Sequence, residues 1–268
     1  MKLTFKEYEL QGWERVANEY DACFGKITPQ AANALVDFVE IKEKSKVLDI
    51  ACGPGYVASL AAKKSKDVTG IDFSAGMIPK AKAFFPEINF QVMDAEELLF
   101  NDLSFDVALM NFGILHFAHP EQAIKEVFRV LKPGGTFLFT MWNTPAKSKA
   151  FECILSALKE EGDLNVPLPE GPDFFKFSDP EVSRDVISQM GFSKVEFKEL
   201  DLVWVLDSPK ELFQAFYRGG IRIGGVLRAQ TPDAICRIIE SLERKTRGFQ
   251  KNGRLEIPVS VLMYKAEK

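Results

Sequence analysis

Histidine is nearly missing from this chain: His116 and His119 are the only two in 268 residues. Cysteine is scarcely richer. Cys23, Cys52, Cys153 and Cys236 lie far apart, with no CxxC and no Cys/His spacing, so a local metal motif is excluded and no metal is expected. Four scattered thiols read as reduced and structural, which suits a cytoplasmic protein. No apolar run approaches the roughly 18 residues that mark a membrane span. The opening MKLTFKEYELQGWERV is too charged for a secretory signal, so no membrane partner is expected. Positive charge is not in excess either. With 34 Lys and Arg against 38 Asp and Glu the net charge is −4, which argues against a nucleic-acid partner. Repeats and low-complexity segments are absent.

What remains is an ordinary globular composition, 46% hydrophobic and 27% charged. The length admits one α/β domain with insertions or two small domains. Residues 4–24 read as an amphipathic helix with Trp13, Val16, Ala17 and Tyr20 on one face, and Pro29 starts a second helix. Strands are predicted at 47–51, 67–72, 90–93, 105–110 and 136–141. Helices alternate with them: one carries Val57, Leu60 and Ala61, a second is capped by Ser74, and a third opens at Pro120 and stops at Lys132-Pro133-Gly134-Gly135. Five such alternations make a parallel sheet with helices on both faces. The rhythm breaks at Asn143. A helix over 150–161 and a Pro/Gly-rich loop follow, then a helix over 180–190 and a strand over 194–206. Helices fill 208–249, and a last strand runs 255–264. Pro258 within it favours an edge or a bulge.

The chemistry concentrates in Val47–Gly55, VLDIACGPG. A buried strand empties into a glycine turn at a helix N-terminus, where a ligand can lie against the backbone. Gly53, Gly55 and Ala58 form GxGxxA, and Asp72 follows about 20 residues later, as in a dinucleotide fingerprint. Asp49, just ahead of the glycines, points elsewhere. A carboxylate there repels a pyrophosphate and attracts a cationic, phosphate-free ligand such as S-adenosylmethionine. Asp72 can accept from ribose hydroxyls in either case.

These residues resemble the class I S-adenosylmethionine-dependent methyltransferases, small-molecule branch. DIACGPG, GIDFSAGMIPKA, MDAEEL, SFDVALMNFGILHF and EVFRVLKPGGTFLFTMW are similar, in order, to that family's motifs over residues 47–142. The resemblance implies an α/β fold: a Rossmann-like, doubly wound, mostly parallel seven-stranded sheet with an antiparallel last strand. It implies a helical N-terminal segment (1–44) covering the cofactor, a binding core (45–142) and an inserted part of a substrate lid (143–178). The end of the sheet (179–268) carries a second helical insertion at 208–249. It further implies that Asp49, Gly53 and Gly55 surround the methionine moiety, that Asp72 holds the ribose, and that Phe73 and Met77 pack on the adenine. Asp94 and the Ala95 N–H would meet the adenine edge, Asn111 and Phe112 would floor the site, and Tyr20, with Trp13, would close over it.

Two departures stand out. Ala51 replaces a common glycine, and Leu99 a common proline. The NFGI after the fourth strand is not the pattern of nucleobase-amine methyltransferases, which weighs further against nucleic acid.

Plainer readings stand beside several of these. Cys52 reads as a small buried filler, and His119 as a helix-capping surface residue. His116 faces the expected reaction centre as a candidate general base or as a loop histidine without a catalytic role. Arg218 and Arg222, in YRGGIRIGGVLR with Arg228, form either a salt-bridged face or a clamp for a substrate carboxylate or phosphate. They share a helix face only if the helix survives Gly219-Gly220. The expected function is methyl transfer to a small molecule by a monomer or homodimer. The competing readings are a nicotinamide-dependent oxidoreductase and a non-catalytic S-adenosylmethionine-binding sensor.

Overall fold

The computed structural model describes residues 2–268. The chain divides into two compact units. One unit comprises residues 28–142, 171–200 and 261–268. Its strands are β1 (Lys46–Ile50), β2 (Asp67–Asp72), β3 (Asn89–Val92), β4 (Phe105–Asn111) and β5 (Leu131–Trp142). Further along the chain come β6 (Ser193–Leu206), β7 (Gln250–Lys251) and β8 (Arg254–Glu267). The sheet order is β3-β2-β1-β4-β5-β8-β6. β1 to β5 are parallel, and β8 runs antiparallel against β5 from Val261 to Glu267. The two-residue β7, which the sequence did not suggest, pairs with the start of β8 as an eighth strand.

β1 lies inside the sheet, with β2 on one edge and β4 on the other. Val47, Leu48 and Ile50 are fully buried, and Asp49 stands opposite Gly70 on β2 and Leu109 on β4. Leu35, Val57, Ala58, Ala61, Phe90 and Leu138 belong to the cluster packed around this part of the sheet. The helices follow the expected alternation: Thr28–Asp37, Tyr56–Ala62, Met77–Phe84 and Pro120–Val130. Ser74 lies three residues ahead of its helix, and its Oγ accepts the Met77 N–H at 3.3 Å. Pro258 lies in β8, which runs between β5 and β6. It precedes the residues paired with β5, so its missing N–H costs that ladder nothing.

The other unit comprises residues up to Ile27 together with 143–170 and 201–260. It is mainly helical: Phe5–Val16, Tyr20–Cys23, Lys149–Glu161, Pro209–Gln214, Arg222–Arg228 and Pro232–Thr246. Thr4 and Glu7 close a reciprocal capping box on the first helix. That helix ends at Val16 and does not reach residue 24. A turn through Ala17–Glu19 intervenes, with the Glu19 N–H on the Val16 carbonyl at 2.8 Å. Phe24, Trp204, Phe216 and Phe151 form an aromatic centre, with ring centroids 5.1–5.9 Å apart between neighbours. Among the described residues no helix is long and apolar enough to cross a membrane.

The glycines of the turn after β1 differ in what a side chain would meet. Gly55 has φ +89°, and a Cβ there would sit 2.7 Å from Phe90 Cζ. Gly53 has φ +51° with nothing within 4 Å of such an atom. Gly53→Ala is therefore expected to cost about 1 kcal/mol, the left-handed backbone penalty alone. Gly55→Ala adds overpacking and should cost about 3 kcal/mol. Urea unfolding midpoints of the two variants measure the difference.

Candidate functional site

The expected cofactor residues gather at the carboxyl ends of β3, β2, β1 and β4. Ligands of open α/β sheets sit there, at the point where the strand order reverses direction. β1 ends in Asp49-Ile50, and Ala51 turns the chain with φ +52°. That value explains why glycine is the easier residue at this position: alanine carries about 1 kcal/mol of left-handed strain. The turn then delivers Gly55 as the residue before helix Tyr56–Ala62.

Asp49 is 1% exposed. Its Oδ2 accepts the Ala58 N–H at 2.8 Å, so the helix N-terminus satisfies one oxygen. Oδ1 is buried and has no hydrogen-bond partner. Burial pushes the carboxyl well above the usual range, the Ala58 N–H draws it down, and the nearby Asp72 raises it again. A buried carboxylate with one unsatisfied oxygen is costly unless a cation or donor arrives.

Asp72, at the end of β2, is spent differently. Oδ2 accepts from Gly53 N and Oδ1 from Ser74 N, each at 2.9 Å. These bonds tie the glycine turn to the second strand. Phe73 is half-buried, and Met77 is buried at the start of the next helix. Asp94 follows β3, with its Oδ1 on the Glu96 N–H at 2.9 Å, and Ala95 is buried beside it.

Beyond β4, Asn111 Nδ2 donates to the Thr28 carbonyl at 3.1 Å and its Oδ1 accepts from Thr140 Oγ1 at 2.6 Å. Thr140 Oγ1 accepts the Phe112 N–H at 3.0 Å. Phe112 is held at φ +58° and stacks on Trp142 with 3.8 Å between centroids. Such backbone strain persists only where the surroundings over-determine it. His116 ends the single turn Ile114–His116, half-exposed. His119 caps nothing with its side chain; its backbone N–H goes to Glu96 Oε1 at 3.0 Å. Burial, with Asp49 and Asp72 behind it, pushes the Cys52 thiol well up, so it is inert filler.

Tyr20, Arg218 and Arg222 belong to the helical unit. Tyr20 lies 6.0 Å from Trp13 and 6.4 Å from Phe24, ring to ring. The two arginines do not share one helix face. Arg218 falls in a π-helical turn, Ala215–Gly219, and Gly220 is extended at ψ 136° before a new helix starts at Arg222. Arg218 pairs with Glu19, and Arg222 lies over the Phe5 ring at 5.2 Å.

Sequence reasoning missed three residues that set the loop after Asp94. Glu96 Oε1 accepts the N–H groups of Ala118, at 2.7 Å, and His119. Glu126 accepts the Leu98 N–H at 2.9 Å. Arg129 donates to the carbonyls of Leu98 and Phe100 at 2.7 and 2.8 Å, and pairs with Asp102 and Glu126. The only signal was an i, i+3 acid–base pair on an exposed helix stripe, which ordinarily means solvation.

With this geometry in place, the likenesses to known proteins can be read. Residues 48–139 match the family described as "Methyltransferase domain". A demethylmenaquinone methyltransferase of Renibacterium salmoninarum is 30% identical over 176 residues, 62% of this chain and 74% of that one. The chain belongs to the class I S-adenosylmethionine-dependent methyltransferases. S-adenosylmethionine is accordingly its cofactor. The demethylmenaquinone methyltransferase of Paenarthrobacter aurescens is 38% identical over 111 residues, 41% of this chain but only 44% of that relative's length. Among solved structures, the [4+2]-cyclase SpnF superposes with TM-score 0.64 at 16% identity, covering 100% of this chain and 97% of its own. That likeness is one of fold.

The methyltransferase's cradle fits a cationic adenosine cofactor, since Asp49 Oδ1 lacks a donor and the space beside Gly53 is open. Asp49→Asn should therefore weaken S-adenosylmethionine binding at least about a hundredfold, the loss of a buried charge pair. It should also raise the thermal midpoint of the cofactor-free protein at neutral pH. The sign follows from linkage. A carboxyl raised on folding destabilises progressively as pH climbs from about 4 through its raised value. Cofactor affinity of the wild type runs the other way and falls as pH drops through that value. Melting curves and calorimetry across pH 5–8 on both proteins test both signs.

Proposed function

We propose that this methyltransferase moves a methyl group to a small-molecule acceptor by in-line displacement, with the cofactor held in the Asp49–Asp72–Asp94 cradle. When bound, S-adenosylmethionine supplies a methyl group on a cationic sulfur. Asp49 places negative charge beside the methionine end, and Asp72 receives the ribose hydroxyls. Phe73 and Met77 flank the adenine, whose edge falls to Asp94 and the Ala95 N–H. Asn111 and Phe112 floor the place where the acceptor must align. The observation that carries this reading is the buried, unpartnered Asp49 Oδ1, which a pyrophosphate would only aggravate.

Displacement at a sulfonium dissipates charge, so the chain's task is alignment and exclusion of water more than acid–base strength. One titratable side chain close in sequence to Phe112 could take a proton from an acceptor heteroatom: His116. Relatives named for demethylmenaquinone suggest starting an acceptor screen with naphthoquinols and following with small acids and amines. A second reading, cofactor binding without methyl transfer, draws on the likeness in fold to a cyclase.

Calorimetry should give micromolar or tighter binding of S-adenosylmethionine and S-adenosylhomocysteine and none of NAD. Binding of NAD without S-adenosylhomocysteine overturns the proposal, and binding without turnover on the whole screen favours the second reading. On an active acceptor, His116→Gln is expected to lower kcat about a hundredfold and to remove the acidic limb of its pH profile. An unchanged profile assigns His116 no proton transfer.

A further inference from the structure

The segment YRGGIRIGGVLR, residues 217–228, carries two glycine pairs and three arginines, and the cofactor cradle uses none of them. The first pair ends the π-helical turn. A Cβ on Gly219 would lie 2.5 Å from Cys23 Cβ, so the helix Tyr20–Cys23 accounts for that glycine. Arg218 is matched by Glu19, and Arg222 lies over Phe5.

Arg228 is situated otherwise. Its Nη1 donates to the carbonyls of Tyr217 and, at 3.2 Å, Gly220, and its Nη2 to that of Ile221 at 3.3 Å. All three acceptors are neutral. The side chain is half-buried, and it forms no ion pair among the described residues. The second glycine pair makes room around it. A Cβ on Gly224 would lie 2.6 Å from Arg228 Nη1, and one on Gly225 would collide with Tyr8 Oη. Guanidinium and phenol thus occupy seats that any larger residue would fill.

The first helix supplies the rest. Tyr8 Oη donates to the Ile221 carbonyl at 3.0 Å, and Gly12 abuts the Ile221 side chain. Arg15 follows Tyr8 at i+7, hence on the same helix face. It is exposed and makes no ion pair among the described residues. The first-helix face and the second glycine pair therefore bring together two guanidiniums and a phenol; the buried Glu9 carboxylate acts on the phenol, and neither guanidinium has an ion pair among the described residues. Burial holds Arg228 below its usual basicity, and the charge of Arg15 adds to that.

We propose that Arg15, Arg228 and the Tyr8 hydroxyl form a binding site for the oxyanion of a small acidic ligand, a carboxylate or a phosphate ester. A guanidinium has more donors than three carbonyls can use, and its planar fork matches an oxyanion. Two like charges on one half-buried surface are unfavourable until an anion joins them. A purely structural Arg228, serving only to tie down the carbonyls of 217–221, has no use for Arg15.

The test is titration of the full-length protein, without cofactor, with inorganic phosphate and separately with malonate, at constant ionic strength. Leaving the cofactor out makes the result independent of the methyl-transfer reading. Saturable binding is expected, weakened about tenfold in Arg15→Gln and severalfold in Tyr8→Phe, with Arg218→Gln unchanged. Arg15 is exposed, so its variant should fold, and an unchanged melting curve verifies this. Tighter phosphate marks a phosphate-ester ligand, and tighter malonate a carboxylate. The absence of saturable binding for both probes, or equal affinity in Arg15→Gln, overturns the site.

Discussion

One carboxylate oxygen, Asp49 Oδ1, sets the terms for the rest of the binding unit. It sits near the end of β1, with β2 and β4 on either side and helix Tyr56–Ala62 ahead, and it is buried. The helix N-terminus satisfies its partner oxygen through Ala58. The other is left, and the fold tolerates a group that on its own lowers stability. That is the usual pattern at binding sites: a local violation of polar satisfaction, compensated by the packing around it. Val47, Leu48, Ile50, Ala58 and Ala61 supply that packing, all of them completely buried.

The neighbouring acids are organised around this vacancy of hydrogen bonds and do not repeat it. Asp72 spends both oxygens on the backbone of the glycine turn and of Ser74, which holds the turn open at Gly53. The loop after Asp94 is fastened from outside the cradle by Glu96, Glu126 and Arg129. Asn111, Thr140 and Phe112 form a closed chain of hydrogen bonds under the strained Phe112 backbone. The three loops that would touch a cofactor are thus each held by charged or amide side chains at fixed distances. Such supporting shells give binding groups their precision.

Much of this unit could be read from the sequence because its signals are local. A strand ending in Asp49 before glycines, and acids at the ends of the next two strands, are periodic features that no distant residue overrides. What stayed hidden depends on tertiary contact. Glu126 and Arg129 look like a solvated i, i+3 pair until the loop 94–102 folds onto them. The helix expected through residue 24 stops at Val16, and the arginine helix breaks at Gly219. The second break follows from contact: Gly219 must leave room for Cys23, a residue nearly 200 positions earlier.

The scarcity of histidine has a physical counterpart in the proposed reaction. A methyl group leaving a sulfonium needs no protein acid to help it go, because the leaving group is already cationic and departs neutral. The proposed reaction demands of the chain a carboxylate kept ionised by its ligand, a floor that fixes the acceptor's line of approach, and exclusion of water. Asp49 and the Phe112–Trp142 stack are suited to the first two. A sheet so equipped does not dictate what is methylated, and proteins of this fold differ in their chemistry accordingly. Specificity must then come from side chains outside the cradle. Within the helical unit, Arg228, half-buried beside Gly224, is the clearest instance of chemistry the cofactor does not require.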